Sequence, residues 1–272
     1  GKEDFYTNLD DDKKAAIADI LRLGTSAGGQ RAKALIAYNK TTGEVRSGQV
    51  ETPAGFDYYL LKLDGVSAAA GFKETDNFGR LEYSFYLLAK ECGVDMTESS
   101  LLEENGRAHF MTKRFDRENG RKVHMQNLCG IAHYDFGLGV MRRLHMTYSE
   151  ASQMFRRIVF NVVIRNQDDH TKNISFLMRE NGKWELSPAY DVGYAYNPSG
   201  TWTSTHQMSV NGKFDNIGRR DLLELAFANN VKDAAEIIDS IRDAAGKWPE
   251  IALNCGVPSE TVKMISRNIG TI

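Results

Sequence analysis

The spacing of apolar residues along the chain changes character near residue 115. Before this point, short or alternating apolar runs predict strands and two amphipathic helices, whereas after it most apolar runs repeat at helical spacing. The predicted strands cover 32–38, 58–63, 100–104 and 108–113, with Asn105-Gly106 as the turn of the last hairpin, and the predicted helices cover 10–23, 78–92, 125–134, 147–165, 219–229, 231–245 and 259–268. We therefore predict an α+β protein of two lobes, with a strand-rich lobe at residues 1–115 and a helical lobe at residues 116–272.

The most polar stretch of the helical half, Asn166–Asn173, lies between apolar elements. An apolar helix ends at Arg165 before it, and residues 174–178 alternate like a strand after it, followed by a hairpin turn at Asn181-Gly182. Aspartate and asparagine are also common in plain surface turns, because they tolerate unusual backbone angles. A polar loop held between two buried elements instead favours a functional loop.

The spacing within this loop is typical of phosphotransferases. Asp168 precedes Asn173 by five residues, and Asp191 follows the hairpin. In kinase-like enzymes the first acid receives or orients a hydroxyl proton, while the amide oxygen and the second acid hold Mg²⁺ against the phosphates of ATP. The sequence therefore predicts Asp168 as the catalytic base and Asn173 with Asp191 as metal ligands. Asp169 lies only four residues before Asn173, so we expect it to face elsewhere.

Two features of the first half suit a bound nucleotide. Lys62 lies within an apolar strand run and a helix carrying Glu82 follows, an arrangement with which phosphotransferases hold the α and β phosphates. A lysine in a strand is more often on the solvent face, since lysine is rarely buried without a partner. The glycine-rich stretch 24–33, which contains Gly28 and Gly29, matches neither a Walker A nor a GxGxxG motif. Consecutive backbone N–H groups in such a loop can still cradle phosphates, and we predict that it covers them.

Composition narrows the classes of function. The 272 residues carry a net charge of −2, which excludes a global electrostatic footprint for nucleic acid, and no apolar run reaches membrane-spanning length. The three cysteines, Cys92, Cys129 and Cys255, lack paired metal spacing and fit a reducing cytoplasm. We therefore expect a cytoplasmic protein that binds neither nucleic acid directly nor membrane. The chain begins at Gly1 without an initiator methionine, so we also expect a fragment of a longer polypeptide.

Several segments together resemble the HipA-like serine/threonine kinases of bacterial toxin–antitoxin systems. They occur in one order along the chain: residues 25–34 (TSAGGQRAKA), 61–63 (LKL), 82–83 (EY), 87–91 (LLAKE), 113–117 (KRFDR), 168–173 (DDHTKN) and 186–191 (LSPAYD). The KRFDR and DxHxKN elements are the most specific of these. The resemblance implies a protein-kinase-like fold with a strand-rich N-lobe and an all-helical C-lobe, and Mg-ATP-dependent phosphorylation of a protein serine or threonine. It covers the kinase core, without the N-terminal segment that full-length relatives carry.

The resemblance also assigns roles at matching positions, with ATP and Mg²⁺ as cofactors. Asp168 and Lys62 are the catalytic pair, and Asn173 and Asp191 hold the metal. The residues on the nucleotide side are Lys62, Glu82, Lys113, Phe115, Asp116, His170, Gly28 and Gly29. Family members phosphorylate themselves on the glycine-rich loop, where Thr25 and Ser26 are the nearest hydroxyls. The implied partners are a protein substrate, with aminoacyl-tRNA synthetases among the known targets of the family, and an antitoxin.

Two other functions remain open at this point. A small-molecule kinase of the aminoglycoside-phosphotransferase type uses the same spacing of acid and asparagine, but it phosphorylates a sugar or alcohol instead of a protein. The second alternative is a binding module that keeps the kinase fold without turnover. The presence of all four polar positions, Lys62, Asp168, Asn173 and Asp191, argues against this inactive module.

Overall fold

The computed structural model describes residues 6–8, 16–20, 25–26, 32–67, 71–72, 76–118, 120–131 and 137–272. Contacts within the chain divide it into two compact units. We call Gly1–Tyr83 with Thr97–Val123 the sheet unit, and Ser84–Met96 with His124–Ile272 the helical unit. The sequence-based boundary between residues 115 and 116 stays a prediction. Each contact-based unit consists of two stretches of sequence, and the stretches of the two units alternate along the chain.

Antiparallel strands form most of the sheet unit, and three further strands lie in the helical unit. The described strands are β1 (Tyr6–Asn8), β2 (Thr25–Ser26), β3 (Lys33–Tyr38), β4 (Glu44–Ser47), β5 (Asp57–Lys62), β6 (Val66–Ser67), β7 (Gly71–Phe72), β8 (Ser99–Glu104), β9 (Arg107–Lys113), β10 (Arg117–Glu118), β11 (Arg121–Lys122), β12 (His124–Asn127), β13 (Ser175–Met178) and β14 (Trp184–Leu186). The main sheet has the order β1-β4-β3-β5-β9-β8, and β2 pairs with β3 beside it. The strands predicted at 32–38, 58–63, 100–104 and 108–113 are confirmed as β3, β5, β8 and β9.

The sheet unit forms because alternating side chains of β3 and β5 face one core. Ala34 and Ile36 of β3 and Leu61 of β5 are buried there, together with Ala16, Ile17 and Ile20 of α1 (residues 16–20). Asn105 and Gly106 both have left-handed backbone angles, φ +43° and +80°, which the tight turn between β8 and β9 requires. The sequence predicted a loop over residues 24–30, but Thr25 and Ser26 form strand β2, because they pair with β3.

Helices make up most of the helical unit. The described helices after α1 are α2 (Phe78–Glu91), α3 (Leu128–Ile131), α4 (Gly137–Arg143), α5 (Tyr148–Val163), α6 (Arg219–Ala228), α7 (Ala234–Ala245), α8 (Trp248–Asn254) and α9 (Ser259–Ser266), with a 3₁₀ turn at Thr171–Asn173. α5 begins with a capping box in which the Thr147 hydroxyl accepts a hydrogen bond from Glu150 N–H and the Glu150 carboxylate accepts one from Thr147 N–H. In the described part of the chain, no helix has the length and apolar character needed to cross a membrane.

Two expectations for the helical half are corrected. The helix predicted at 125–134 is wrong in its first part, because residues 124–127 pair with β13 as strand β12, while Leu128–Ile131 is helical and residues 132–134 lie outside the described part of the chain. The C-lobe is also not all-helical, since β12, β13 and β14 form a three-stranded antiparallel sheet. This small sheet carries the chain out of the polar loop 166–173 and toward Asp191. It therefore contributes to placing the candidate catalytic residues.

Candidate active site

Lys62 and Glu82 form a buried ion pair within the sheet unit. Lys62 Nζ contacts Glu82 Oε1, and the two side chains are only 8% and 12% exposed. Lys62 is the last residue of β5, and Glu82 follows one turn after the start of α2. The expectation that Lys62 and Glu82 come together is therefore met. An ionised lysine this far from solvent requires such a partner, because an unpaired buried charge is strongly unfavourable.

Register places a second lysine beside this pair. Lys33 of β3 lies directly opposite Lys62 of β5 in the antiparallel ladder. Opposite residues share one face of the sheet with Cβ atoms about 5 Å apart, so Lys33 lies on the face of the sheet that carries Lys62. The sequence analysis assigned no role to Lys33, although the strand register needed to find it follows from aligning the two predicted strands.

Ion pairs within the segment after β9 hold that segment in place. Asp116 is 7% exposed, and its carboxylate lies 2.7 Å from Arg114 Nε and 2.7 Å from Arg117 Nη1. Burial by itself raises the pKa of Asp116, but the two guanidinium groups outweigh it and hold the pKa below its ordinary value. Lys113 N–H donates to Glu98 O at 2.8 Å, and Thr97 Oγ1 donates to Lys113 O at 2.9 Å. Both backbone groups of Lys113 are thus engaged inside the protein.

The polar loop of the helical unit starts with a sharp turn. α5 ends at Val163, and Arg165 adopts a left-handed φ of +52° that directs the chain away from the helix axis. Arg165 O accepts a hydrogen bond from Ala195 N at 3.1 Å, and its guanidinium lies 4.5 Å from the centre of the Tyr196 ring. This cation–π contact and backbone bond fix the entry to the loop.

Asp168 and Asn173 are joined within the loop. The side-chain nitrogen of Asn173 donates to Asp168 O at 3.0 Å, across the five-residue spacing seen in the sequence. The Asp168 side chain is 56% exposed, and His170 Nε2 lies 3.8 Å from its Oδ1. Because the amide nitrogen of Asn173 is engaged with the backbone, its Oδ1 is left as the ligand atom. The predicted base and the predicted metal-binding amide therefore belong to one small hydrogen-bonded structure.

Asp191 is held close to this loop by its neighbours. The Tyr190 hydroxyl donates to Lys172 O at 2.7 Å and lies 2.6 Å from Ser175 Oγ, which connects the segment before Asp191 to the polar loop. Arg157 of α5 is 7% exposed, and its Nη2 donates to Ser187 O at 2.6 Å. Burial lowers the pKa of Arg157 to about 10. The segment that carries Asp191 is thus anchored at two points within the helical unit.

The Asp169 carboxylate contacts segment 206–208, but Asp169 also lines the cavity of Asn173 and Asp191, and Asp168 is not among the described residues that line it. The expectation that Asp169 faces elsewhere therefore stays a prediction. Asp169 is 9% exposed, and its Oδ2 lies 2.8 Å from His206 Nδ1 while its Oδ1 accepts from Gln207 N at 2.7 Å and Met208 N at 3.4 Å. Gln167, on the other side of Asp168, has its amide nitrogen 2.8 Å from Thr203 O. The two residues that flank Asp168 therefore attach the loop to segment 203–208. Sequence reasoning did not find this segment, because its contacts bridge more than thirty residues.

The donor set around Asp191 suits Mg²⁺. Asn173 and Asp191 line one small cavity of about 40 Å³, together with Asp169 and His170. Among the described residues there is no cluster of three or more histidine, cysteine or acidic side chains that could hold a metal by itself. Mg²⁺ does not require one, because it is usually bound by one or two carboxylates together with substrate phosphates and water. One carboxylate and one amide oxygen therefore fit this ion.

Some predicted residues lie outside the described part of the chain. Gly28 and Gly29 are among them, so their contact with phosphates stays a prediction. For Thr25 and Ser26 the structure gives the backbone, opposite Ala34 and Lys33 of β3. The nucleotide contacts expected for Lys113, Phe115, Asp116 and His170 also stay predictions.

Comparisons with known proteins identify the family of this chain. A model of the HipA-like C-terminal domain matches residues 25–248. A Haemophilus influenzae protein named "Putative kinase" is 26% identical over 134 residues, which are 40% of this chain and 39% of that protein. "Putative kinase Y4dM" of Sinorhizobium fredii is 24% identical over 193 residues, which are 61% of this chain and 46% of that protein. The chain covers less than half the length of these curated relatives.

A solved structure of a HipA toxin has the same fold. The chain matches the Shewanella oneidensis MR-1 toxin–antitoxin complex of HipA, HipB and operator DNA with a TM-score of 0.66 and 16% identity, over 98% of this chain and 70% of that chain. A Helicobacter pylori proinflammatory kinase, CtkA, gives a TM-score of 0.45 and 13% identity over 79% of this chain and 88% of that one. The family model covers most of the chain, and the fold agrees with it. The chain therefore belongs to the HipA-like C-terminal domain family and is a HipA-like kinase by fold and sequence.

Proposed function

We propose that this protein is an ATP- and Mg²⁺-dependent serine/threonine kinase of the HipA type that phosphorylates a protein hydroxyl. The observation that carries the proposal is the bond from Asn173 Nδ2 to Asp168 O, because it joins the proposed base to a residue that lines one cavity with Asp191. Family membership supports the same chemistry. The buried pair of Lys62 and Glu82 supplies the phosphate-binding group that such an enzyme needs.

In this proposal, Asp168 acts on the acceptor hydroxyl. The hydroxyl oxygen forms a bond to the γ-phosphorus of ATP, the bond from that phosphorus to the β,γ-bridging oxygen breaks, and ADP leaves. The proton of the hydroxyl passes to the Asp168 carboxylate and then to water. The exposed position of Asp168 suits this role, since a protein hydroxyl must reach it from solvent. When bound, Mg²⁺ would neutralise phosphate charge, with Asn173 and Asp191 as its protein ligands.

Lys62 would bind the phosphates in an orientation set by Glu82. Since Glu82 balances the lysine inside the protein, the amine stays ionised and fixed, which favours electrostatic stabilisation of the transferring group. Lys33, opposite Lys62, would add a second positive charge on the same face of the sheet. Thr25 and Ser26 of β2 pair with Ala34 and Lys33 of β3, and they are the proposed sites of self-phosphorylation.

The proposed partners follow from relatives. The HipA structure contains the antitoxin HipB and operator DNA, and we propose an antitoxin partner for the full-length protein here as well. A protein of the translation machinery, such as an aminoacyl-tRNA synthetase, is the proposed substrate class. Direct binding of nucleic acid by this chain is not part of the proposal, because its net charge is −2.

The test is phosphate transfer itself. Purified protein is incubated with Mg-ATP, and its intact mass is measured beside an Asp168→Asn variant and an Asp243→Asn control, whose carboxylate is exposed on α7. We expect the wild type and the control to gain phosphate, and the Asp168→Asn variant to be slower by about a hundredfold or more. Peptide fragmentation then locates the phosphate on Thr25, Ser26 or elsewhere.

The same experiment separates the alternatives. Phosphate gain in the Asp168→Asn variant at the wild-type rate would contradict the role of Asp168. Transfer to aminoglycosides or other small alcohols, without any transfer to protein, would favour a small-molecule kinase. A nucleotide-dependent rise in melting temperature without any transfer would indicate the inactive binding module.

A further inference from the structure

A series of buried hydrogen bonds connects the hairpin of β8 and β9 to the segment that follows Lys62. It starts two residues after Lys62, at Asp64, which is 2% exposed. Asp64 N–H donates to His109 Nδ1 at 2.9 Å, and His109 is fully buried on β9. His109 Nε2 in turn lies 3.3 Å from Glu104 Oε1. These hydrogen bonds thus connect β8 and β9 to Asp64, two residues beyond the end of the strand of Lys62.

The same aspartate reaches the start of helix α2. Asp64 Oδ1 accepts hydrogen bonds from Asp76 N at 3.2 Å and Phe78 N at 3.4 Å, and Phe78 is the first residue of α2. A carboxylate at this position satisfies backbone N–H groups that have no partner within the helix and interacts favourably with the helix dipole. Asn77 has a left-handed φ of +59°, so the chain enters the helix through a fixed bend. Glu82 lies four residues after Phe78, one turn into this helix.

The imidazole of His109 must be neutral for this arrangement. Because Asp64 N–H donates to Nδ1, that nitrogen carries no proton, and the ring proton lies on Nε2 facing Glu104. Burial lowers the pKa of His109, and the nearby Arg107 adds to this, while the carboxylates of Glu104 and Asp64 act against it. Protonation of Nδ1 would place two N–H donors against each other.

We propose that Asp64 and the neutral imidazole of His109 are positioning residues that fix α2, and hence Glu82, against Lys62. This inference rests on the proposed function, in which Lys62 binds the phosphates of ATP. Asp64 joins the strand of Lys62 to the helix of Glu82, so it sets the distance between the two partners. His109 holds Asp64 from the opposite side through the backbone. Neither residue touches the nucleotide in this proposal.

The pH dependence follows from the direction of the pKa shift. A histidine whose pKa is lower in the folded protein binds fewer protons there than in the unfolded chain. Its contribution to stability is complete above the unfolded pKa of about 6.5 and decreases as the pH falls below that value. We therefore expect the free energy of unfolding to decrease more steeply in the wild type than in a variant that cannot titrate at position 109, as the pH falls from 7.5 to 5.5. An asparagine at 109 keeps an acceptor for Asp64 N–H but does not titrate.

The experiment measures how accessible Lys62 is in the protein alone and how tightly the protein binds Mg-ATP. Reductive methylation of Lys62, followed by peptide mass spectrometry, reports its accessibility in the protein alone, and equilibrium binding reports its affinity for Mg-ATP. Both are measured at pH 7.5, and the free energy of unfolding is measured between pH 7.5 and 5.5 for wild type, His109→Asn and a His145→Asn control. His145 is exposed and has a left-handed φ of +52°, which asparagine accommodates.

We expect the free energy of unfolding, measured with denaturant at each pH, to fall more steeply toward pH 5.5 in wild type and His145→Asn than in His109→Asn. At pH 7.5, Asp64→Ala should raise labelling and weaken ATP binding about tenfold, whereas Asp64→Asn keeps the acceptor oxygen and restores most of both. Val45→Ala is the control for plain destabilisation, since Val45 is fully buried in the core of the sheet unit on β4. It should lower the melting temperature without changing Lys62 labelling.

Identical pH profiles of the free energy of unfolding for wild type and His109→Asn would overturn the inference. So would equal labelling of Lys62 in wild type and Asp64→Ala. A wild-type protein that binds no ATP would instead contradict the proposed function, and the labelling and unfolding results would still decide whether Asp64 and His109 hold the pair. The two failures are therefore distinguishable.

Discussion

The two units hold their candidate catalytic side chains in opposite ways. In the sheet unit, Lys62 and Glu82 balance each other inside the protein, with side chains 8% and 12% exposed. In the helical unit, the Asp168 side chain is 56% exposed, and the protein holds its backbone and its two neighbours instead. The difference indicates that Lys62, the proposed phosphate-binding residue, contributes to the stability of the fold, whereas Asp168, the proposed base, is positioned by the residues around it. Substitution of Lys62 should lower the free energy of unfolding, whereas substitution of Asp168 should lower the rate of phosphate transfer without changing stability.

The largest expected effect tests the sheet unit. Lys62→Met leaves Glu82 buried without its cation, and we expect a loss of about 3–5 kcal/mol in the free energy of unfolding. The double variant Lys62→Met, Glu82→Leu should recover most of this loss, because it removes the uncompensated charge. Asp168→Asn, by contrast, should change stability by less than about 0.5 kcal/mol. Denaturant unfolding of the four proteins measures all these differences, and equal losses for Lys62→Met and Asp168→Asn would remove the contrast.

A second prediction concerns how closely α2 approaches the sheet. A Cβ atom on Gly79 would lie 1.8 Å from Ala108 O, so the first turn of the helix that carries Glu82 contacts the backbone of β9. Gly79→Ala should therefore cost about 3 kcal/mol or more, since neither backbone can move without breaking the sheet. Gly193→Ala is the matched control, because its new Cβ would have its nearest neighbour 4.0 Å away. Melting temperatures of both variants check the prediction, and a Gly79→Ala protein as stable as the control would contradict it.

A smaller effect is expected in the helical unit at Asp169. Asp169→Ala removes the acceptor for the His206 ring and for two backbone N–H groups, which should reduce the free energy of unfolding by about 2 kcal/mol. The rate of phosphate transfer should also fall, because one anchor beside Asp168 is lost, while ATP affinity stays unchanged. Asp215→Ala, which removes an exposed carboxylate further along the same chain segment, should leave both quantities at wild-type values. A normal transfer rate in a stably folded Asp169→Ala protein would show that the anchor is dispensable.

Much of the fold could be predicted because its signals are local. The strands of Lys62 and of the hairpin around Asn105, and helix α5 with its Thr147 cap, follow from apolar spacing and turn residues within a few positions. The strand at 124–127 could not be predicted in this way, because its apolar spacing suits a helix and only pairing with β13 makes it a strand. Helix α8 was also missed, since Pro249 in a short segment hides its helical pattern.

The residues of the candidate site also differ in whether local sequence could predict them. Spacing alone gave Asp168, Asn173 and Asp191, because a kinase-like loop places them at fixed intervals. The supporting residues were not found, since their roles depend on partners distant in sequence. Asp169 needs His206, thirty-seven residues away, and Asp64 needs His109, forty-five residues away. No local pattern marks such pairs, and only the fold brings them together.

The backbone at Asp191 limits which residue can occupy this position. Its φ is +55°, in the left-handed region where bulky and β-branched side chains are strained. Glycine, asparagine and aspartate tolerate that conformation best, and of these three only aspartate has a carboxylate. An evolving or redesigned version of this chain therefore has little freedom here: exchange to glutamate keeps the charge but strains the turn, and exchange to asparagine keeps the turn but loses the charge. The conformation of one residue thus restricts the chemistry of the position before any ligand is considered.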